Sequence, residues 1–146
     1  MKTPKLTSEM IPGSLWGMSL PNHLERARWD KLRRACYAQA GNVCEICGGV
    51  GSKDRVDCHE VWEYDDQNRI QKLLGLTALC PACHLVKHYG RACAIGKRAE
   101  AQNHLAKVNG WTLEQTQEHV VRMKLLWAKR SKQQWTQDIT WVFDQP

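Results

Sequence analysis

Apolar residues recur at helical spacing in three stretches and alternate with polar ones in a fourth. Leu24, Trp29, Leu32, Cys36 and Ala40 predict a helix from about Asn22 to Gln39, with Asn22 as its cap and Gly41 as its end. From Arg55 to Tyr64, valines and aromatics alternate with polar groups, as on a half-buried strand. Asp65-Asp66-Gln67-Asn68 supplies a turn, and Arg69 to Leu74 a returning strand. Cys80-Pro81-Ala82-Cys83 opens a helix expected to run through His88, with Pro81 in its first turn. Lys97 to Val108 predicts another helix, closed by Asn109-Gly110. Thr112 and Gln115 have capping-box spacing before a longer helix to about Arg130, with Leu113, Thr116, Val120, Met123 and Trp127 as its apolar stripe. Residues 1–21, broken by Pro4, Pro12, Gly13 and Pro21, read as an irregular arm that lays Leu15, Trp16, Met18 and Leu20 on the rest. Ile139 to Phe143 is expected to form a short last strand.

The chain has 146 residues, enough for one domain with a modest core. Seven tryptophans against one Phe and three Tyr make Trp its main bulky apolar residue. There is no internal repeat and no low-complexity linker. We read a single domain, 1–146, in three parts: arm and helix (1–41), a distinct central module (42–92) and a helical wrap (93–146). The net charge of +6 favours a polyanionic partner only weakly. Met1-Lys2-Thr3-Pro4-Lys5 leads into no long apolar stretch, and Leu73–Leu79 is too short to span a membrane, so a cytoplasmic protein without a membrane partner is expected. In that compartment seven cysteines point to metal rather than disulfides. Cys36 and Cys93 have no evident partner and read as small buried apolar residues.

The central module carries the chemistry. Two Cys-x-x-Cys pairs, Cys44/Cys47 and Cys80/Cys83, frame 32 residues. Four thiolates close a tetrahedral shell and leave no open position, which predicts a structural zinc site. His84 and His88 are four apart on the predicted helix, so both rings can reach one cation. A third histidine, His59, stands on the facing strand within Asp57-Cys58-His59.

Asp57-Cys58-His59 on a strand, then Leu76-Thr77-Ala78-Leu79-Cys80-Pro81-Ala82-Cys83-His84 with His88 beyond, resembles the His-Asn-His (HNH) nuclease family over about residues 42–90. The resemblance implies an α+β fold: a zinc-stapled ββα-metal core of treble-clef type, here flanked by N- and C-terminal helices. It also implies a metal-dependent endonuclease hydrolysing DNA phosphodiester bonds. By position His59 matches the general base, and His84 and His88 match metal ligands. The residue before the first histidine commonly binds metal in the family. Here it is Cys58, with Asp57 as the alternative. The expected cofactors are a structural zinc and a second divalent cation: Mg, Mn, Ni or Zn.

Two departures bear on this. The family asparagine falls at Gly75, for which Asn68 or Gln71 would have to substitute. Cys58 would make a softer centre, and strand alternation sets it on the face opposite His59. Five acids and no Lys or Arg occupy residues 57–66, which repels phosphate. Glu63, Asp65 and Asp66 read as a solvated edge, and Glu60 as part of that edge, an extra ligand or an orienter of a histidine. Lys87, Arg91, Lys97, Arg98, Arg33 and Arg34 are the candidates for contact with nucleic acid. The alternative reading is a catalytically inactive, zinc-stabilised module that binds nucleic acid or a protein partner.

Overall fold

An antiparallel hairpin forms the centre of the computed structural model, which describes residues 3–51 and 55–146. Met1 and Lys2 of the expected arm lie outside these residues. Strand β1 (Asp57–Asp65) pairs with β2 (Ile70–Leu79), His59 opposite Thr77 and Val61 opposite Gly75. Trp62 then pairs with Leu73, so Leu74 is the extra residue of a bulge. Strand β2 runs past Leu74, where its end was expected, because pairing resumes at Gly75 and continues to Leu79 opposite Asp57. Asp65 folds the turn by accepting the Gln67 and Asn68 backbone N–H groups at 3.1 and 3.0 Å. Strand β3 (Thr136–Asp138) adds to β2 in parallel. The expected last strand over 139–143 is instead a 3₁₀ helix, Thr140–Asp144. Asp138 Oδ1 accepts from the Thr140 N–H and hydroxyl, at 2.9 and 2.6 Å, and bends the chain there.

The first expected helix is two: α1 (Leu20–His23) and α2 (Arg26–Gln39). Leu24 is extended between them, and Asn22 donates back to the Gly17 carbonyl at 2.8 Å instead of capping. Gly41 ends α2 with φ 66°. Helix α3 (Pro81–Lys87) stops one residue before His88, which is non-helical and joins it to α4 (Tyr89–Ala94). The His88 N–H still donates to the His84 carbonyl at 3.1 Å, so the two residues stay one above the other. Helix α5 (Arg98–Asn109) ends at left-handed Gly110, and the predicted capping box of Thr112 and Gln115 opens α6 (Leu113–Ser131).

The two largest of three buried clusters among the described residues hold most of these elements. One joins Leu79, Cys83, Val86, Ala92, Leu105 and Val120 under α3, α5 and α6. The other joins Leu20, Leu32, Leu73 and Val142 with Trp29, Trp62 and Trp141 beside α2. Of the arm residues expected inside, Leu15 and Leu20 are buried, but Trp16 is 66% exposed.

The arm is strapped to the C-terminal helices. Asn109 Oδ1 accepts the N–H groups of Lys5 and Leu6, His119 Nε2 accepts the Ser8 N–H at 3.1 Å, and Trp127 donates to the Ile11 carbonyl at 2.9 Å. His119 must be neutral to accept. Burial, with Arg122 and Lys87 nearby, pushes its pKa down to about 4 from 6.5. Between those values the unfolded chain binds the proton and the folded chain does not, so stability falls as pH falls. The contribution is complete above pH 6.5 and is lost towards pH 4, up to about 3 kcal/mol. Thermal unfolding of His119→Gln, which keeps an acceptor but cannot titrate, is expected to vary less between pH 7 and pH 5 than the wild type. Equal pH slopes for the two proteins would refute this.

Candidate metal centres

The cysteine centre is built from two turns. Gly48 takes φ 75° after Cys47, and the Gly49 N–H points at Cys47 Sγ from 3.4 Å. A Cβ at Gly49 would lie 3.3 Å from that sulfur. Across the module Cys80 caps α3, its Sγ accepting the Cys83 N–H at 3.4 Å. The four sulfurs lie within 4.8 Å of one another and could hold a zinc ion. Cys47 Sγ and Cys80 Sγ are 3.6 Å apart, against about 3.8 Å for two sulfurs about 2.3 Å from one tetrahedral zinc. Burial raises the Cys44 pKa, but N–H groups from Cys47, Cys80 and Ile46 outweigh it and bring the thiol down to about 7. Burial and the neighbouring thiols push Cys83 up. Four sulfurs so close cannot all ionise without a cation among them, which is the electrostatic case for a metal. Sequence reasoning missed His104, whose Nε2 lies 3.1 Å from Cys83 Sγ. It arrives on α5, and no spacing rule links it to the knuckles.

The second cluster unites His59, His84 and His88, again with ligand atoms within 4.8 Å of one another. His84 Nε2 and His88 Nε2 are 3.0 Å apart. Two nitrogens each about 2.1 Å from one ion, at angles between octahedral and tetrahedral, are separated by about 3.0–3.4 Å. The His59 ring stands edge-on to both, with centroids 5.4 Å from His84 and 5.2 Å from His88. A carboxylate backs each side. Asp57 Oδ2 is 3.3 Å from His84 Nδ1, which leaves the Nε2 lone pair facing the cluster. Glu9 Oε2 is 3.4 Å from His59 Nε2. The other nitrogen, His59 Nδ1, is buried without a hydrogen-bond partner among the described residues. An orphaned ring nitrogen beside two more imidazoles fits a cation or an incoming proton donor. Burial and the neighbouring imidazoles lower both His84 and His88, the latter to about 4, so both are neutral and free to coordinate at neutral pH.

Glu9 was invisible to sequence reasoning, being a single acid in the arm. Its backbone bridges to His88, and its Oε1 accepts the Tyr64 hydroxyl at 2.9 Å. Burial pushes its carboxyl up, but His59, Tyr64 and Lys87 outweigh this and hold it below the usual range. Glu9 is therefore a carboxylate when it faces His59. Glu9→Ala is expected to weaken metal binding at the histidine cluster about 10- to 100-fold if His59 ligates the ion and to leave it unchanged if His59 does not, with zinc on the cysteines retained in both cases. Metal titration followed by isothermal calorimetry decides between the two.

Other predicted residues fall elsewhere. Cys58 packs against Cys36, Val56 and Ala78 beneath α2 and lies outside the histidine cluster, as alternation along β1 requires. Asn68 is tied to Asp65 at the hairpin tip, and Gln71 donates to Tyr64 at 3.0 Å, so neither hydrogen-bonds the three histidines. A Cβ at Gly75 would meet the Trp141 indole at 3.9 Å. Glu60 is buried, accepting the Leu20 N–H at 3.0 Å. Asp66 pairs with Arg130 at 2.8 Å. Of the cationic candidates, Lys87 and Arg91 flank the histidines on α3 and α4. Lys87 donates to Thr7 at 2.9 Å, and Arg91 makes no ion pair among the described residues. Arg33 is engaged by Asp30 at 2.8 Å on α2, with Arg34 exposed beside it. Lys97 lines a separate cleft with His104 and Lys107, and Arg98 lies beside Cys93 and Tyr89.

No family model, curated protein or solved structure matches the chain. No helix among the described residues is long and apolar enough to cross a membrane.

Proposed function

We propose that this protein is a metal-dependent endonuclease of the HNH type, hydrolysing DNA phosphodiester bonds at the histidine cluster, with zinc on the four cysteines as its staple. The observation that carries the reading is His59: a buried imidazole with one nitrogen unpartnered, the other on a carboxylate, and two neutral histidines in front of it. His84 and His88 would hold the divalent ion, with Asp57 orienting His84. When bound, that ion would polarise the phosphate and offset the charge on the departing oxygen. His59 Nδ1 takes the proton of the attacking water, and Glu9 stabilises the imidazolium that results. Arg91 supplies a positive charge for a neighbouring phosphate. Cys58 has no part in this scheme.

The second reading, an inactive zinc-stabilised binding module, is favoured by one observation. Among the described residues no asparagine or glutamine hydrogen-bonds His59, His84 or His88, and Asn68 and Gln71 bond Asp65 and Tyr64 instead. Nicking of supercoiled plasmid, scanned over Mg, Mn, Ni, Co and Zn, separates the two. Cleavage by the wild type that is lost in His84→Ala protein still holding one zinc supports the nuclease. No cleavage with any ion, from zinc-loaded wild type, favours the binding module.

A further inference from the structure

Beside the histidine cluster lies a cavity of ≈ 530 Å³, within the about 300–1,000 Å³ common to small-ligand sites. Three indoles line it, Trp16, Trp62 and Trp127, together with Glu9 and His88 of the histidine centre. Trp16 and Trp127 are nearly parallel, 11° apart in plane with centroids at 6.4 Å. Arg91 and Glu60 add two further charged groups to a wall that already holds the Glu9 carboxylate. Among the described residues Arg91 has no anionic partner, and Glu60 accepts one backbone N–H through Oε1.

We infer that this cavity receives one unpaired nucleobase of the nucleic acid, so that the strand cut at the histidines is single-stranded or frayed there. The inference rests on the nuclease reading above. The cavity shares Glu9 and His88 with the reactive centre, so a base held in it brings its own phosphate to the histidines. Planar apolar walls suit a base face, and every base stacks on an indole. A paired base offers no free face or edge, and it would have to leave the duplex stack to enter. Arg91 matches the phosphate that accompanies the base. The Glu60 carboxylate accepts the N–H groups that a paired base would have committed to its partner strand. A purely apolar occupant, such as a leucine-rich peptide segment, would leave Arg91 and Glu60 facing it without compensation.

The test is binding by the full, zinc-loaded chain, using fluorescence anisotropy with a labelled 12-nucleotide strand and the blunt duplex made from it. Both carry phosphorothioate linkages to block hydrolysis. The single strand is expected to bind at least about 10-fold tighter than the duplex. Trp16→Ala is expected to weaken the single strand about 5- to 100-fold and to leave the duplex unchanged, with Trp16→Phe restoring affinity. Trp16 is 66% exposed, so its removal is compatible with folding, and an unchanged zinc content and circular dichroism spectrum verify it. Equal affinity for both forms, absence of binding, or a single-strand affinity indifferent to Trp16→Ala overturns the pocket. Because no bond is cut in this assay, its result is independent of plasmid nicking. Single-strand binding without nicking would overturn the nuclease and keep the pocket, and nicking with duplex preference would do the reverse.

Discussion

Cys80→Ala is expected to abolish the cooperative thermal transition, not merely to lower its midpoint. Cys80 is one of four sulfurs that could hold zinc, it is 4% exposed, and its sulfur caps α3. Structural zinc contributes about 10–16 kcal/mol in small modules, while whole domains are stable by only about 5–15 kcal/mol. Losing the metal therefore outweighs the entire margin. The same cluster packs Leu79, Val86, Ala92 and Leu105 against Cys80 and Cys83, so α3, α4 and α5 should lose their fixed packing together. Cys36→Ala is the control, a buried cysteine outside both metal clusters, and should unfold cooperatively with zinc in place. Differential scanning calorimetry with zinc analysis gives the answer. A cooperative transition in Cys80→Ala near that of the wild type would mean that the cysteines do not staple the fold.

His59→Ala is expected to lower plasmid nicking by about 10²- to 10⁴-fold, the range for loss of a general base. The structural reason is local. His59 is 4% exposed and backed by Glu9, and its Nδ1 has no other employment. Metal analysis assigns its role. If His59 is the base, the variant keeps the second ion on His84 and His88 and loses only turnover. If the ion leaves with the ring, His59 is a third ligand and the base must be sought elsewhere. Nicking within threefold of wild type would end the proposal for this residue.

The cysteine pairs, the hairpin and the histidine pair were legible because each rests on short-range spacing. Cys-x-x-Cys and an i, i+4 pair survive almost any surrounding fold, and His88 keeps its place above His84 although α3 has already ended. Strand alternation likewise separated Cys58 from His59. What stayed hidden came from far along the chain. Glu9 reaches His59 only because Asn109, His119 and Trp127 hold the arm, and His104 reaches Cys83 only through the packing of α5 on α3. Neither contact leaves a trace in local periodicity. The misplaced last strand has a local cause, the Asp138 side chain bonding Thr140, which sends Ile139–Phe143 into a 3₁₀ turn despite its strand-forming residues.

The strapped arm also sets an order of events. On a ribosome adding about 5–20 residues per second, the two cysteine pairs and the three histidines emerge a few seconds before the last turn of α6. Zinc can be taken up in that interval, but the arm that carries Glu9 has only its contacts to Tyr64, Lys87 and His88, because His119 and Trp127 do not yet exist in the chain. The carboxylate behind His59 is thus fixed in place only once α6 has been made. A nascent chain, or one clipped before α6, would carry the cysteine pairs and the histidines without the arm fixed behind His59, so the activity proposed for this site waits on α6.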